Sequence, residues 1–379
     1  MQSLSIRNAK IQTANSFQLG DLHFTNRILE RPARNALTID LNGQTLHAGL
    51  VNAHDHLELN HYPRTKFRDR YDNAHQWGEN VNQRLTQSPF KELQTRPLKD
   101  RLFIGGLKNL LSGATTVIHH NPPHKHLFRR DFPVNVFKHY AWSHSLHFST
   151  DQDIQESYRN TPKEGLWFIH LAEGTDETAH NEYKRLKSLG CINKNTVIIH
   201  GVGLSEADII DCAPKIKGLV ICPTTNHYLL DALPNIQSWL KHGGKIFIGS
   251  DSRLTADGDL LDEFNCLRAH GLWDNSYLQS NPISQTTPLS NGTRADFIIN
   301  PDWEKRSGHG MIVKNGIPQI GDPDLMTLFP HIETIKAQLD NVPKRINIHL
   351  ARQISRCTLQ ESGLILLEEP KRQKRFLML

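Results

Sequence analysis

Short apolar runs ending in residues that bind metals or move protons recur through the middle of the chain. Leu50-Val51-Asn52-Ala53 leads into His54-Asp55-His56, and Leu166-Trp167-Phe168-Ile169 into His170-Leu171-Ala172-Glu173. Thr196-Val197-Ile198-Ile199 precedes His200, and Gly218-Leu219-Val220-Ile221 precedes Cys222-Pro223-Thr224-Thr225-Asn226. Lys245-Ile246-Phe247-Ile248-Gly249 precedes Ser250-Asp251-Ser252. β-Branched runs alternating with helical stretches predict βα units around a parallel sheet. Functional groups at the C-terminal ends of several strands are what a (β/α)₈ barrel produces.

In a strand, residues i and i+2 share a face, so His54 and His56 project together and Asp55 points away. An H-x-H pair alone carries little weight, because 22 histidines in 379 residues make one by chance close to expected. Its weight comes from the ordered set that follows it. Seven strands are convincing, beginning near Leu50, Ala114, Val134, Leu166, Thr196, Leu219 and Lys245. An eighth must be Leu146–Ser149 or lie in the insertion after His56, so an irregular or missing stave stays open. Leu102–Leu111 and Glu177–Leu189 read as helices, closed by Ser112-Gly113 and Gly190. The polar stretch from Glu58 to Pro97 is a long insertion straight after the first metal strand. Such loops lie over a catalytic mouth.

Both ends read as β-rich. Leu4–Ile6, Ala9–Thr13, Ser16–Leu19 and Thr38–Leu41 are short strand patterns, the last before an Asn42-Gly43 turn. A similar pattern returns over residues 292–299 and 311–316. The expected division is a composite β domain of residues 1–47 and 284–325, a barrel over 48–283, and a C-terminal extension over 326–379. The extension is read as mostly helical (Ile332–Leu339, Ile346–Ser355) and as a packing or homo-oligomer contact.

Composition narrows the classes further. The net charge is +5 and the isoelectric point about 8.9, without an arginine-rich helix or an aromatic-interleaved basic patch. Nucleic acid is therefore not an expected partner. The basic run Lys371-Arg372-Gln373-Lys374-Arg375 reads as a solvated end. Five scattered cysteines without C-x-x-C imply reduced thiols. With no signal-like leader and no membrane-length apolar run, the expectation is a cytoplasmic protein.

The motifs Val51-Asn52-Ala53-His54-Asp55-His56, His170-Leu171-Ala172-Glu173, His200-Gly201, Cys222-Pro223-Thr224-Thr225-Asn226 and Gly249-Ser250-Asp251-Ser252 resemble the amidohydrolase superfamily. The similar branch holds cytosine and guanine deaminases and triazine hydrolases, and the likeness runs to about residue 325. It implies a TIM-like metal-dependent hydrolase barrel with a small β-sandwich formed by both chain ends. By resemblance, His54, His56, His170 and Asp251 hold one divalent metal, Glu173 shuttles protons, and His200 contacts the reacting water or substrate. Three imidazoles and one carboxylate suit Zn²⁺, with Fe²⁺ a second choice on ligand type. Its position alone leaves His200 three roles, a fifth ligand, a ligand to a second metal or a hydrogen-bond donor to the tetrahedral intermediate, and the resemblance favours the third. A second metal needs a bridging lysine, for which Lys138 is the placed candidate.

His119, His120, Trp142, His144 and Arg253 follow strand ends and are expected to contact a small-molecule substrate; Glu173, His200 and Asp251 are the expected catalytic set. The implied reaction is hydrolysis of a non-peptide carbon–nitrogen bond, deamination of an aminated heterocycle first. The alternative is a catalytically idle relative that binds metal or a ligand.

Overall fold

The computed structural model describes residues 2–13, 16–283 and 288–370, so the 371–375 basic run lies outside the described residues. They fall into a middle unit beginning at Leu50 and a second unit built from both chain ends. Among the described residues, no helix is long and apolar enough to cross a membrane.

The middle unit carries the parallel strands β1 (Leu50–Asp55), β2 (Ala114–His119), β3 (Asn135–Val136), β4 (Tyr140–Ser143), β5 (Leu166–Leu171), β6 (Thr196–His200), β7 (Gly218–Ile221) and β8 (Ile246–Ile248). β1, β2 and β3 form one ladder, and β4 through β8 form another. Three residues separate β3 from β4. That is too few for the crossover that neighbouring parallel strands require, commonly a dozen or more. β3 pairs outward with β2 and β4 outward with β5. The two therefore act as one kinked stave, and the barrel has seven. Among the described residues no eighth stave follows, which is the missing one that the sequence left open. The single strand read over Val134–Tyr140 is corrected to these two segments. Leu146–Ser149 supplies no strand, and the insertion is helical where it is regular: α1 (Ala74–Asn82) and α2 (Phe90–Gln94).

The barrel interior is apolar because alternate strand residues point into it. Phe168, Val197, Ile199, Val220 and Phe247 form its buried cluster with Ile118. Outside lie α3 (Leu98–Leu111), α4 (Asp151–Arg159), α5 (Glu177–Ser188), α6 (Glu206–Cys212), α8 (Ile236–Lys241) and α9 (Leu260–Ala269), while α7 (Pro223–Leu230) follows β7 at the cavity. Capping boxes start three of them, at Thr150, Ser205 and Asp259. β1 and β8 share no ladder. They meet instead where the Asp251 amide donates to the His54 carbonyl at 3.0 Å. Gly249 permits this approach: a Cβ there would stand 2.7 Å from the His54 Cβ.

In the second unit, Thr45–Ala48 runs parallel to Leu4–Gln12 and antiparallel to Phe297–Ile299, joining the two chain ends in one sheet. Phe24 and Phe297 meet edge to face at 5.2 Å in its core. The mostly helical reading of 326–379 needs correction. Thr334–Leu339 is a strand antiparallel to Val342–Asn347. Its Ile335, Ala337 and Leu339 are buried while Lys336 faces solvent, a period of two that rules out a helix. The second expected helix holds over Ile348–Ile354, and Leu364–Leu366 adds another strand.

Candidate metal centre and cavity

Four of the parallel segments deliver side chains to one point. His54 and His56 follow the apolar start of β1, His170 ends the β5 run, His200 closes β6, and Asp251 follows β8. The strict two-residue period does not explain all of this. Val197 and Ile199 face the barrel interior, so alternation would send His200 outward. His200 instead adopts left-handed backbone (φ 73°), as do Ala172 between His170 and Glu173 (φ 54°) and Asp251 (φ 49°). Non-glycine residues in that region are uncommon and cluster at functional sites.

One ring nitrogen each of His54, His56 and His170 lies within 4.8 Å of the others. The His54 and His170 Nε2 atoms are 3.1 Å apart, and Asp251 Oδ1 lies 3.5 Å from the Nε2 of both His54 and His56. Ligands on a tetrahedral ion with bonds of about 2.0–2.1 Å sit roughly 3.3 Å from one another. The donor set therefore fits one small divalent cation. Its protonation fits too: burial pushes the His54 and His170 pKa values below the usual imidazole range, leaving neutral nitrogens. Burial opposes ionisation of Asp251, but the His54 hydrogen bond and the nearby imidazoles outweigh it and hold the carboxyl well below the usual range. Thr225 and Thr255 donate to Asp251 Oδ2 at 3.1 and 3.0 Å, which turns Oδ1 toward the histidines.

Cys222 also lies within 4.8 Å of His54 and His200 nitrogens. Burial raises its thiol pKa well above the ordinary value, so it presents no thiolate, and the three-histidine group is the better ligand set.

Beside this group, Glu173 Oε2 is 3.4 Å from His200 Nε2, and Asn226 contacts the other ring nitrogen of His200 at 3.0 Å. Burial, then the charges of Asp251 and Glu182, raise the Glu173 pKa well above the usual carboxylate range. Burial lowers the His200 pKa to about 3.

His56, His170, Glu173, His200 and Asp251 open onto a cavity of about 690 Å³. The 58–97 insertion supplies much of its wall, including Leu59, Tyr62, Trp77, Val81 and Phe90. Of the five residues expected at the substrate, His144 lines this cavity. His120 is buried behind it, stacked on His170 with ring centroids 4.4 Å apart. Trp142 packs against His120 at 5.1 Å. His119 is sealed, accepting from the Leu57 amide at 3.3 Å, and the Arg253 amide donates to Asn60. Lys138 lies over the Phe128 ring at 4.4 Å and is not among the cavity residues.

The sequence reading missed Lys108, Asn109, Asn52 and Glu182. Lys108 Nζ stands 2.9 Å from Asp55 in full burial, joined by Asn109, Asn52 and Ser250. Glu182 on α5 accepts from the Ala172 amide at 2.6 Å, fixing the turn that presents Glu173. Nothing local in the sequence marks these side chains, because their partners are distant in the chain.

Comparison with solved structures settles the architecture. An adenosine deaminase from Xanthomonas campestris with bound zinc superposes with a TM-score of 0.63 at 14% identity, over 87% of this chain and 97% of that one. Atrazine chlorohydrolase from Arthrobacter aurescens complexed with zinc gives 0.65 at 14% identity, over 86% and 98%. The fold is that of these deaminases and triazine hydrolases. An aminofutalosine deaminase from Helicobacter pylori superposes with a TM-score of 0.54 at 12% identity, over 84% of this chain and 100% of that one. In sequence, a 5-methylthioadenosine/S-adenosylhomocysteine deaminase 2 from Archaeoglobus fulgidus is 28% identical over 112 residues, 30% of this chain. The match spans about a quarter of that relative's length (26%). No family model matches.

Proposed function

We propose that this amidohydrolase-fold protein is a zinc-dependent hydrolase of a non-peptide carbon–nitrogen bond, and that it deaminates an aminated heterocycle. The observation that carries the reading is the meeting, on one cavity floor, of a His54–His56–His170–Asp251 donor set with a protonatable Glu173. The names of the solved neighbours and of the sequence relative support the same reaction class. Asp251 and the three histidines would hold the ion. When bound, a divalent cation supplies a Lewis acid and eases ionisation of water near neutral pH.

The chain's own residues account for the remaining steps. Glu173 accepts a proton from the attacking water and returns it to a ring nitrogen, a task for which a raised carboxyl pKa is suited. His200, fixed by Asn226, offers its Nε2 to the developing oxygen. The water oxygen bonds to the ring carbon, the exocyclic carbon–nitrogen bond breaks, and ammonia leaves carrying the transferred protons. The apolar walls exclude bulk water and stack a flat ring.

The test is Glu173→Gln, assayed for ammonia release against a panel of aminated purines, pyrimidines and triazines with metal content measured in parallel. Glutamine keeps the size but accepts no proton, so turnover falls by about 10² to 10⁴ while the metal stays. Loss of metal would make Glu173 a ligand and overturn its role. A zinc-loaded wild type inert toward the whole panel would favour the idle-relative alternative.

A further inference from the structure

The cavity holds a charge that the proposed chemistry leaves unused. Arg101, in the first turn of α3, is the lysine or arginine that lines it among the described residues. Its Nε is buried without a hydrogen-bond partner. No ion pair is formed by its guanidinium among the described residues, whereas Arg64, from the insertion, is tied to Asp257 and to the Thr255 carbonyl. Arg101 does not serve its helix either, since a cation in the first turn opposes the helix dipole. Its side chain hydrogen-bonds the Tyr62 hydroxyl and its charge reaches the His61 ring, so it stands beside the wall made by the insertion. Around it the wall is apolar: Leu59, Phe90 and Leu254 line the same cavity.

A half-buried guanidinium that lines a ligand cavity, with no ion pair and with its Nε buried and unpartnered, calls for an anion. One planar fork of donors matches a carboxylate in both geometry and charge. A phosphate dianion would carry a second charge that one guanidinium does not compensate. We infer that Arg101 is a carboxylate-reading subsite, and that the substrate class is an aminated heterocycle with an apolar arm ending in a carboxylate. The heterocycle half rests on the proposed deaminase reading; the carboxylate half stands on the cavity alone.

Calorimetry on the zinc-loaded full chain separates the two, using probes without an aminated ring: phenylbutanoate, phenylbutanol and phenylpropylphosphonate. Wild type is expected to bind the carboxylate about ten- to a hundredfold tighter than the alcohol, the range for a hydrogen-bonded charge pair. Arg101→Met keeps the stem, removes that preference and leaves alcohol binding unchanged; Arg101→Lys retains part of it. If the methionine variant does not fold, Arg101→Gln carries the same comparison. Equal affinities in wild type would overturn the subsite. A preference that survives loss of the guanidinium would overturn it too, by assigning the carboxylate to the metal. Tighter binding of the phosphonate would overturn the choice of carboxylate. None of these outcomes depends on turnover, which Glu173→Gln tests separately.

Discussion

Asp55 lies between the two histidines of β1 and turns away from them, as strand alternation requires. What alternation could not reveal is its partner. The carboxylate meets Lys108 at 2.9 Å with both side chains fully buried, and Asn60, Asn109 and Ser250 complete its hydrogen bonds. Breaking one side of such a pair leaves an uncompensated buried charge, at a cost of about 3–5 kcal/mol. Lys108→Met should therefore lower the urea midpoint by that order. Zinc affinity should fall with it, because Asp55 fixes the backbone between His54 and His56. Replacing both partners, Asp55→Leu with Lys108→Met, should recover part of the stability, since no lone charge remains. An unchanged midpoint in Lys108→Met would show that the pair does not hold β1. The single-letter record made His54, His56, His170, Glu173 and Asp251 legible because each ends an apolar run. Lys108 stayed hidden because a lysine on a helix reads as solvent-facing until its distant partner is known.

At the scale of elements, the same contrast explains what was legible. Continuous β-branched runs marked β5 to β8 clearly, since buried parallel strands carry apolar residues on both faces. The kinked stave was misread because β3 and β4 are only a few residues each and the bend between them has no turn signature. Thr334–Leu339 was misread because six residues mixing Lys and Gln with apolar residues suit either period. The packing of α3 is a third feature that local sequence does not show. Gly105 sits within this helix, where alanine would ordinarily stabilise by about 0.8–1 kcal/mol. Here a Cβ would overlap the Leu57 carbonyl oxygen, directly after the His54–His56 pair. Gly105→Ala should thus reverse the usual sign, lowering the melting temperature and weakening zinc binding together. A more stable Gly105→Ala protein with unchanged zinc affinity would mean that α3 does not brace the metal strand.

At the scale of the whole barrel, the proposed ligands come from β1, β5 and the segment after β8. A bound ion would therefore tie β1, from one ladder, to β5 and the end of β8, from the other. A ligand that binds only the folded state stabilises it, by about 2.7 kcal/mol when free ligand is a hundredfold above its dissociation constant. Chelation should lower the melting temperature, zinc should restore it, and His54→Ala should be insensitive to both. Acid acts on the same centre from another direction. Burial lowers the pKa values of His54, His120 and His170, that of His144 to about 4 and that of His200 to about 3. In the unfolded chain each titrates near 6.5. Between those values the unfolded chain binds more protons than the folded one, so stability rises with pH. It is fully present above about pH 6.5 and is lost progressively as pH falls toward 4. The metal-free protein should accordingly melt at steadily lower temperature from pH 7 to pH 4, even in chelator, and His144→Asn should flatten the slope. A metal-free melting temperature that holds level across that range would show that these imidazoles are not neutral and desolvated in the folded barrel.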